Sequence, residues 1–150
     1  MEEPNEEGAD YVLFTDGSGH TDKIGASCAI VYNCELEMFR TIVSGRNHTT
    51  VPRQEHLALL LGLEYINTTD SFTGKTIKWY SDCEALVRSV NREYGRNSNK
   101  DLWHQFAYYE NDYDIQGEHI SRDDDRMTQA DIHASSVRQI LKEYLFAITE

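Results

Sequence analysis

The first 45 residues contain three strand-like segments with short connections, and this arrangement restricts the fold more than any other feature of the chain. Residues 11–15, 25–32 and 36–44 are rich in β-branched, aromatic and other apolar side chains, a composition typical of strands. Connections of this length allow hairpins but not crossovers, so we predict an antiparallel meander. From residue 49 onward the apolar pattern changes to a helical period.

The rest of the chain alternates between helices and strands. Thr49 and Thr50 can cap a helix and Pro52 suits its first turn, so we expect a helix there that includes the apolar run 57–66. The other predicted elements are strands over 76–80 and 113–120 and helices over 84–91, 101–111 and 128–148. A strand–helix–strand order implies a right-handed crossover and a parallel partner. We therefore predict an α/β (α+β) fold over residues 10–150, with a five-stranded mixed sheet of three antiparallel and then parallel strands, flanked by helices.

The charge of the chain restricts its function. A formal net charge of −12 argues against a protein that binds nucleic acid through a generally basic surface. Residues 1–10 contain five acids and no base, so we expect residues 1–9 to form a disordered acidic tail. Between Lys75 and His104 there are six bases and four acids, which allows a modest basic face in that region.

Composition also indicates where the protein works. No apolar run approaches the roughly 18 residues needed to cross a membrane. The acidic start is the opposite of a signal peptide, and the three cysteines form no CxxC pair. We expect a monomeric cytoplasmic protein with reduced thiols and no membrane association.

Four acids lie at strand ends or helix starts of the predicted fold. Asp16 ends the first strand, and Glu55 falls in the first turn of the first helix. Asp82 ends the strand 76–80, where open α/β sheets bind their ligands, and Asp131 falls in the first turn of the last helix. Taken singly, each has a structural explanation, such as a hairpin turn for Asp16, the helix dipole for Glu55 or an N-cap for Asp82. With the first strand central in the sheet, all four can meet at one edge.

A cluster of four carboxylates is a candidate metal site. Converging acids repel one another, and one or more would be held neutral unless a cation intervened. Ligand sets made only of oxygen select hard ions such as Mg²⁺ or Mn²⁺. Two such ions about 3.5–4 Å apart can hold the attacking and leaving oxygens of a phosphodiester. The acidic loop at residues 123–125 is either a source of a further ligand or a solvated loop.

At this point the chain resembles the type 1 ribonucleases H of the ribonuclease H-like superfamily, over about residues 10 to 148. The first markers are Phe14-Thr15-Asp16-Gly17-Ser18, and Glu55 followed by Leu57-Ala58-Leu59 and Gly62-Leu63. The later markers are Trp79-Tyr80-Ser81-Asp82-Cys83, Asn99-Lys100-Asp101-Leu102-Trp103, and Arg122 through Ala130-Asp131. Transposases, integrases and DEDD exonucleases share the fold, but Asp-Gly-Ser-Gly and Asp-Leu-Trp favour ribonuclease H.

The resemblance implies a two-metal-ion endonuclease. It would hydrolyse the RNA strand of RNA–DNA hybrids and leave 5′-phosphate and 3′-hydroxyl ends, with two Mg²⁺ ions (or Mn²⁺) as cofactors. Asp16 would bridge both ions, and Asp131 would help to hold the ion that activates water. Glu55 and Asp82 would hold the ion that faces the leaving oxygen.

The resemblance also implies substrate contacts. Main-chain groups around Gly17, Ser18 and Gly19, and around Gln54 in the Glu55 turn, would meet the 2′-hydroxyls that distinguish RNA from DNA. Asn97, Asn99 and Lys100 would contact backbone phosphates, which fixes register without reading sequence.

Some members of the family carry a catalytic histidine about ten residues before the last aspartate. His119, twelve residues before Asp131, is the candidate here. It either assists product release or is a strand residue that pairs locally.

The chain departs from the family at two places that concern substrate binding. Val51 and Pro52 stand where family members often carry asparagines, and only residues 92–96 stand where some bacterial members have a basic protrusion. With the acidic net charge, this predicts weak and strongly salt-dependent hybrid binding, which a substrate-anchoring protein partner or domain could compensate.

Two other functions stay open at this stage. One is a catalytically silent ribonuclease H-like module that binds nucleic acid or protein. The other is a DNA resolvase or nuclease on the same fold, which would need a wider basic surface than the sequence offers.

Overall fold

A five-stranded mixed sheet forms the centre of the computed structural model, which describes residues 1–4, 6–70 and 72–149. Its strands are β1 (Tyr11–Gly19), β2 (Gly25–Asn33), β3 (Met38–Arg46), β4 (Thr76–Ser81) and β5 (Asp114–His119). They lie in the order β3-β2-β1-β4-β5, with antiparallel pairing of β1 to β2 and β2 to β3. The pairs β1–β4 and β4–β5 are parallel. The predicted mixed sheet is therefore confirmed, with β1 at its centre.

Helices cover both faces of this sheet. They are α1 (Val51–Thr69), α2 (Glu84–Val90), α3 (Lys100–Asp112) and α4 (Thr128–Thr149), and a 3₁₀ turn over Asp125–Met127 precedes α4. The predicted order of helices and strands is confirmed. In the part of the chain that the structure describes, none of the helices is both long and apolar enough to span a membrane.

The first helix begins as its sequence predicts. The Thr50 side chain accepts a hydrogen bond from the Arg53 amide at 3.3 Å, and Pro52 lies in the first turn. Glu55 is the fifth residue of α1, however, and lies beyond that turn. The prediction that Glu55 lies in the first turn is therefore wrong, and the amino-terminal helix dipole is not what places it, because that effect fades within one turn.

Alternate side chains of β1 enter two separate cores. Leu13 packs with Leu59 and Leu63 of α1 and with Trp79 of β4. On the other face, Phe14 stacks on Tyr80 with ring centroids 5.4 Å apart and packs in the core that α4 completes with Ala130 and Ala134. Since strand side chains alternate between faces, both sides of β1 are buried, which explains its nearly continuous apolar sequence.

The acidic N-terminal segment lies against the face of the sheet that α4 covers. Glu6 accepts a hydrogen bond from the Tyr80 hydroxyl, and Ala9 packs against the core that contains Phe14. Residues 1–4 line a cavity of about 670 Å³ together with Phe14 and Arg126. Within the segment for which the sequence predicts a disordered tail, residues 1–9, Glu6 and Ala9 contact the sheet, and the disorder of the tail stays a prediction.

Candidate metal centre

Asp16 lies just beyond the last residue of β1 that pairs with β4. β1 pairs with β4 only as far as Phe14, but it continues to pair with β2 up to Gly19. Asp16 therefore lies just where the sheet loses one strand, although it does not end β1. The prediction that β1 ends at residue 15 is wrong, and the alternative of a hairpin turn at Asp16 is excluded, since Gly17 and Gly19 lie within the β1–β2 ladder.

Gly17 brings the backbone of β1 against that of α1. A Cβ atom at this position would lie 2.4 Å from the Glu55 amide nitrogen and 2.6 Å from the Gln54 carbonyl carbon. Only glycine permits so close an approach. The contact places Glu55 of α1 beside Asp16 of β1.

Two further acids approach the same edge from β4 and α4. Asp82 directly follows Ser81, the last residue of β4, and Asp131 lies in the first turn of α4. The end of β4 is tied to β1 by a buried hydrogen bond of 2.8 Å from the Trp79 indole nitrogen to the Thr15 hydroxyl. The carboxyl ends of the two parallel strands thus hold Asp16 and Asp82 together.

These side chains form one acidic pocket. One carboxylate oxygen from each of Asp16, Glu55 and Asp82 lies within 4.8 Å of the other two. Asp131 lines the same pocket, which has a volume of about 230 Å³. The other residues that line it are Gly17, Ser18, Gly19, Val51, Arg122 and Ser135.

The electrostatics of this pocket favour a bound cation. Burial and then repulsion from Asp82 raise the pKa of Asp16 to about 7. Burial, followed by repulsion from Asp16 and Asp82, raises the pKa of Glu55 well above its ordinary value. The pKa of Asp82 is also raised, chiefly by burial, although Arg122 opposes this. The ionised form of each carboxylate is thus destabilised in the pocket, and a bound cation would remove this destabilisation.

The donor set fits a hard divalent ion. Glu55 is buried, and its Oε2 atom has no hydrogen-bond partner among the described residues, which is unusual for a buried polar atom. Three carboxylates within one ligand sphere, with a fourth on the wall of the pocket, supply the oxygen ligands that Mg²⁺ and Mn²⁺ prefer. Coordination by an ion would satisfy the unpaired oxygen.

The predicted substrate-binding residues fall into different environments. Gly17, Ser18 and Gly19 line the acidic pocket. Asn97 and Asn99 lie along a neighbouring cleft of about 300 Å³ between α1, α2 and the start of α3, where Trp103 and His56 form part of the wall. Lys100 is exposed as the first residue of α3.

Gln54 has no exposed surface and is occupied within the protein. Its side-chain oxygen accepts a hydrogen bond from Thr49, and its nitrogen donates to Ser27. The Ser27 hydroxyl in turn donates to the Gln54 carbonyl at 2.7 Å. Gln54 thus joins α1 to β2 through its side chain, and the contact of its main chain with a substrate stays a prediction.

The structure does not bring His119 to the pocket. This residue ends β5, pairs in register with Ser81 and is exposed. The described residue that does line the pocket from this side of the sheet is Arg122, three positions further on. In the sequence, Arg122 is a marker of the family resemblance without an assigned role, and its position after a strand on the same edge as Asp82 is the signal that places it at the pocket.

The basic face allowed by the sequence is largely neutralised. Lys75 pairs with Asp70, Arg88 with Glu84, and Arg92 and Arg96 both with Glu110. Arg96 also lies over the Trp103 ring, 4.5 Å from its centroid, and donates to two backbone carbonyls. The expected modest basic face is therefore reduced to Lys78 and Lys100 in the described part of residues 75–104.

The sheet order and flanking helices define the ribonuclease H-like fold. The chain is similar to the N-terminal RNase H domain of a Mycobacterium tuberculosis protein, with a TM-score of 0.79 and 16% identity over 90% of this chain and 97% of that one. It is also similar to LC11-RNase H1 solved in complex with an RNA/DNA hybrid, with a TM-score of 0.74 and 17% identity over 84% of this chain and 94% of that one.

A third similar structure is RNase H1 from Halobacterium salinarum, with a TM-score of 0.67 and 16% identity over 83% of this chain and 94% of that one. Neither a protein-family model nor a curated protein sequence matches the chain. At these identities the likeness establishes the fold, and it agrees with the resemblance to type 1 ribonucleases H that the sequence motifs indicate.

Proposed function

We propose that the protein is an endoribonuclease that hydrolyses the RNA strand of RNA–DNA hybrids. The observation that carries this proposal is the pocket formed by Asp16, Glu55, Asp82 and Asp131 at the edge of the sheet where β1 and β4 cease to pair. A fold without catalytic function would have no need to hold buried carboxylates together against their mutual repulsion. The likeness to an RNase H1 solved with hybrid supports the choice of substrate.

The proposed reaction is the hydrolysis of one phosphodiester bond. The oxygen of a water molecule attacks phosphorus and stays on the 5′-phosphate, the bond from phosphorus to the 3′ oxygen breaks, and that oxygen takes up a proton to become a 3′-hydroxyl. The water gives up one proton to solvent, so atoms and charge balance. Bound Mg²⁺ or Mn²⁺ ions would supply polarisation of the attacking water and stabilisation of the leaving oxygen.

The residues of the pocket would divide the work of holding these ions. Asp16 would contact both ions; Asp131 would help to hold the ion that activates water, and Glu55 and Asp82 the ion that faces the leaving oxygen. The backbone of Gly17 to Gly19, which lines the pocket, would receive the 2′-hydroxyls of the RNA strand.

The neutralised basic residues bear on how substrate is held. Since Arg88, Arg92 and Arg96 are already paired, hybrid affinity would come from few phosphate contacts. Among them would be Asn97 and Asn99 along the neighbouring cleft and the exposed Lys100 at the start of α3. We propose weak binding on its own and a substrate-anchoring protein partner or attached domain in the cell.

Cleavage of a labelled hybrid in Mg²⁺ tests this function. Asp16→Asn and Asp82→Asn should each lower kcat by at least about 100-fold, more than the 10- to 100-fold typical of residues that only support metal ligands. Asp112→Asn, the same change at the far end of α3, should not. An inert wild-type protein whose melting temperature does not respond to Mg²⁺ would rule out the enzyme and favour a silent binding module. Equal cleavage of duplex DNA would favour a DNA nuclease.

A further inference from the structure

The outer side of β3 is an open edge of the sheet. In the described part of the chain, β3 pairs with β2 alone. This pairing runs without interruption over nine residues, from Met38 to Arg46, so no bulge disturbs the strand, and its sequence contains no proline. About every second residue of an antiparallel strand directs its amide and carbonyl away from the neighbouring strand. β3 therefore presents a long, regular row of unpaired backbone groups that a further strand can join.

The helix that covers this part of the sheet extends beyond β3. α4 packs across β1, β2 and β3, and a Cβ atom at Gly45 of β3 would lie 3.1 Å from the Leu141 side chain and 3.5 Å from that of Val137. Tyr144 continues the same helix stripe seven residues after Val137, yet it is 62% exposed, and Ile140 is 66% exposed. From Leu141 to Tyr144 the helix advances about 4.5 Å, close to the spacing of about 4.8 Å between neighbouring strands. The end of α4 thus covers the place that one more strand would occupy.

The side chains of β3 indicate what kind of strand would fit this edge. Arg40 and Arg46 are exposed on one face of the strand, and β3 contains no acid. Neither arginine forms an ion pair with a described residue, and the Arg40 guanidinium donates to the carbonyl of the adjacent Phe39 at 3.1 Å. Val43 lies on the opposite face with Gly45 and is 42% exposed. An added strand would therefore meet two free cations on one face and an apolar strip below α4 on the other.

A second copy of this chain fits the edge poorly. Antiparallel pairing of two β3 strands about Ile42 would place Arg40 of each copy diagonally beside Arg46 of the other, with the two backbones about 7–8 Å apart at these positions. Like charges at such positions repel, and each chain also has a net charge of −12. A strand that carries acids opposite the two arginines would be attracted instead.

We propose that the edge of β3 binds an extended segment of a partner protein, which adds a sixth strand to the sheet. The segment would carry two acids six positions apart, opposite Arg40 and Arg46, and apolar side chains at the intervening positions that face α4. None of the residues that line the acidic pocket belongs to β3, so the added strand would leave that pocket open. This interaction goes beyond the proposed function and does not depend on it.

The test uses a fluorescein-labelled peptide of nine residues, with glutamate at its positions 2 and 8, valine at positions 3, 5 and 7, and threonine elsewhere. A matched peptide has lysine in place of both glutamates. Fluorescence anisotropy at low salt should give a Kd roughly 10-fold lower for the glutamate peptide than for the lysine peptide. The double variant Arg40→Glu, Arg46→Glu should reverse this preference. Tyr144→Ser should weaken binding several-fold, whereas Tyr108→Ser, which removes a tyrosine of similar exposure (61%) from α3, should not.

Hydrogen exchange locates the bound peptide and separates the possible occupants. The glutamate peptide should slow exchange of the β3 amides that do not pair with β2 and leave exchange in α3 unchanged. Failure of both peptides to bind would mean that the arginines only keep other strands away from the edge, and equal binding of both would mean that charge does not select the partner. A dimer of the protein alone in sedimentation equilibrium, with these β3 amides already protected, would identify a second copy as the occupant. Each of these three results overturns the proposal. None of the measurements uses cleavage, so failure of the proposed function would leave this test unchanged.

Discussion

Gly17 is the residue at which β1, which carries Asp16, contacts α1, which carries Glu55. Its backbone touches that of α1 at Glu55, and the next residue toward the N-terminus is Asp16. Any side chain at position 17 must push β1 and α1 apart, because the neighbouring atoms belong to backbone and cannot turn aside. The absence of a Cβ atom at position 17 thus sets the distance between Asp16 and Glu55.

Gly17→Ala tests this constraint. We expect a loss of about 1–3 kcal/mol in the free energy of unfolding, the usual cost of overpacking, and a loss of Mg²⁺-dependent cleavage larger than the fraction unfolded explains. Urea denaturation and hybrid cleavage measure the two effects. Gly45→Ala is the control, since a Cβ there would meet the Leu141 side chain at 3.1 Å, which can move. Equal stability and activity of Gly17→Ala and wild type would show that the close contact does not position Glu55.

The N-terminal segment acts as an additional element on the α4 side of the sheet. Its Glu6 holds the Tyr80 hydroxyl, and burial together with this hydrogen bond raises the pKa of Tyr80. The segment also carries four acids in its first nine residues. We therefore expect two opposite effects of the segment: its contacts stabilise the sheet, and its charge repels the phosphate backbone of the proposed substrate.

Deletion of residues 1–9 separates these effects. The melting temperature should fall by a few degrees, since about 1 kcal/mol from one hydrogen bond and some apolar contact corresponds to roughly 2–4 °C for a domain of this size. Hybrid binding should become tighter at low salt and converge with wild type at high salt. Two single variants serve as controls for the deletion. Tyr80→Phe should lower the melting temperature without a change in hybrid affinity, and Glu7→Gln should give a small part of the gain in hybrid affinity without a loss of stability. Unchanged affinity across a salt series would remove any electrostatic role for the segment.

The sequence predicts the elements well where one strong pattern decides them. The meander, the capped start of α1 and the long helix α4 come from local patterns, and the structure confirms them. The end of β1 could not be predicted in this way, because Gly17 and Gly19 favour a turn locally. What keeps them in a strand is pairing to Ser27 and Gly25 of β2, which no local pattern reveals.

The same limit applies to the site. The positions of Asp16, Glu55, Asp82 and Asp131 relative to the predicted elements are enough to predict that they converge. The environments of single polar residues are not predictable from spacing: Arg96 belongs to the basic face that the sequence allows, yet it pairs with Glu110 and lies over the Trp103 ring. Such partners are many residues apart, and only the folded chain brings them together.

At the scale of the whole molecule, two groups of acids have opposite effects on how the stability of the fold depends on pH. Asp16, Glu55 and Asp82 have raised pKa values in the folded protein, so without metal they contribute most stability when protonated. As pH rises from about 4, the unfolded value, through about 7 for Asp16, that contribution is lost. Hydrogen bonds or ion pairs lower the pKa values of Asp101, Glu110 and Asp124, which adds stability above about pH 4 that is lost as pH falls.

Metal binding should offset the loss of stability that occurs when Asp16, Glu55 and Asp82 ionise at higher pH. Without divalent ions, the melting temperature should be highest near pH 5 and decline toward pH 8. Mg²⁺ at about 100 times its Kd should add about 2.7 kcal/mol, or roughly 5–10 °C, at pH 8, and much less at pH 5, where protons compete for the carboxylates. Thermal denaturation at both pH values with and without MgCl₂ measures this. The double variant Asp16→Asn, Asp82→Asn should lose the response to Mg²⁺ and, without metal at pH 8, melt above wild type. A metal response of equal size at both pH values would mean that the ion binds outside the buried acids.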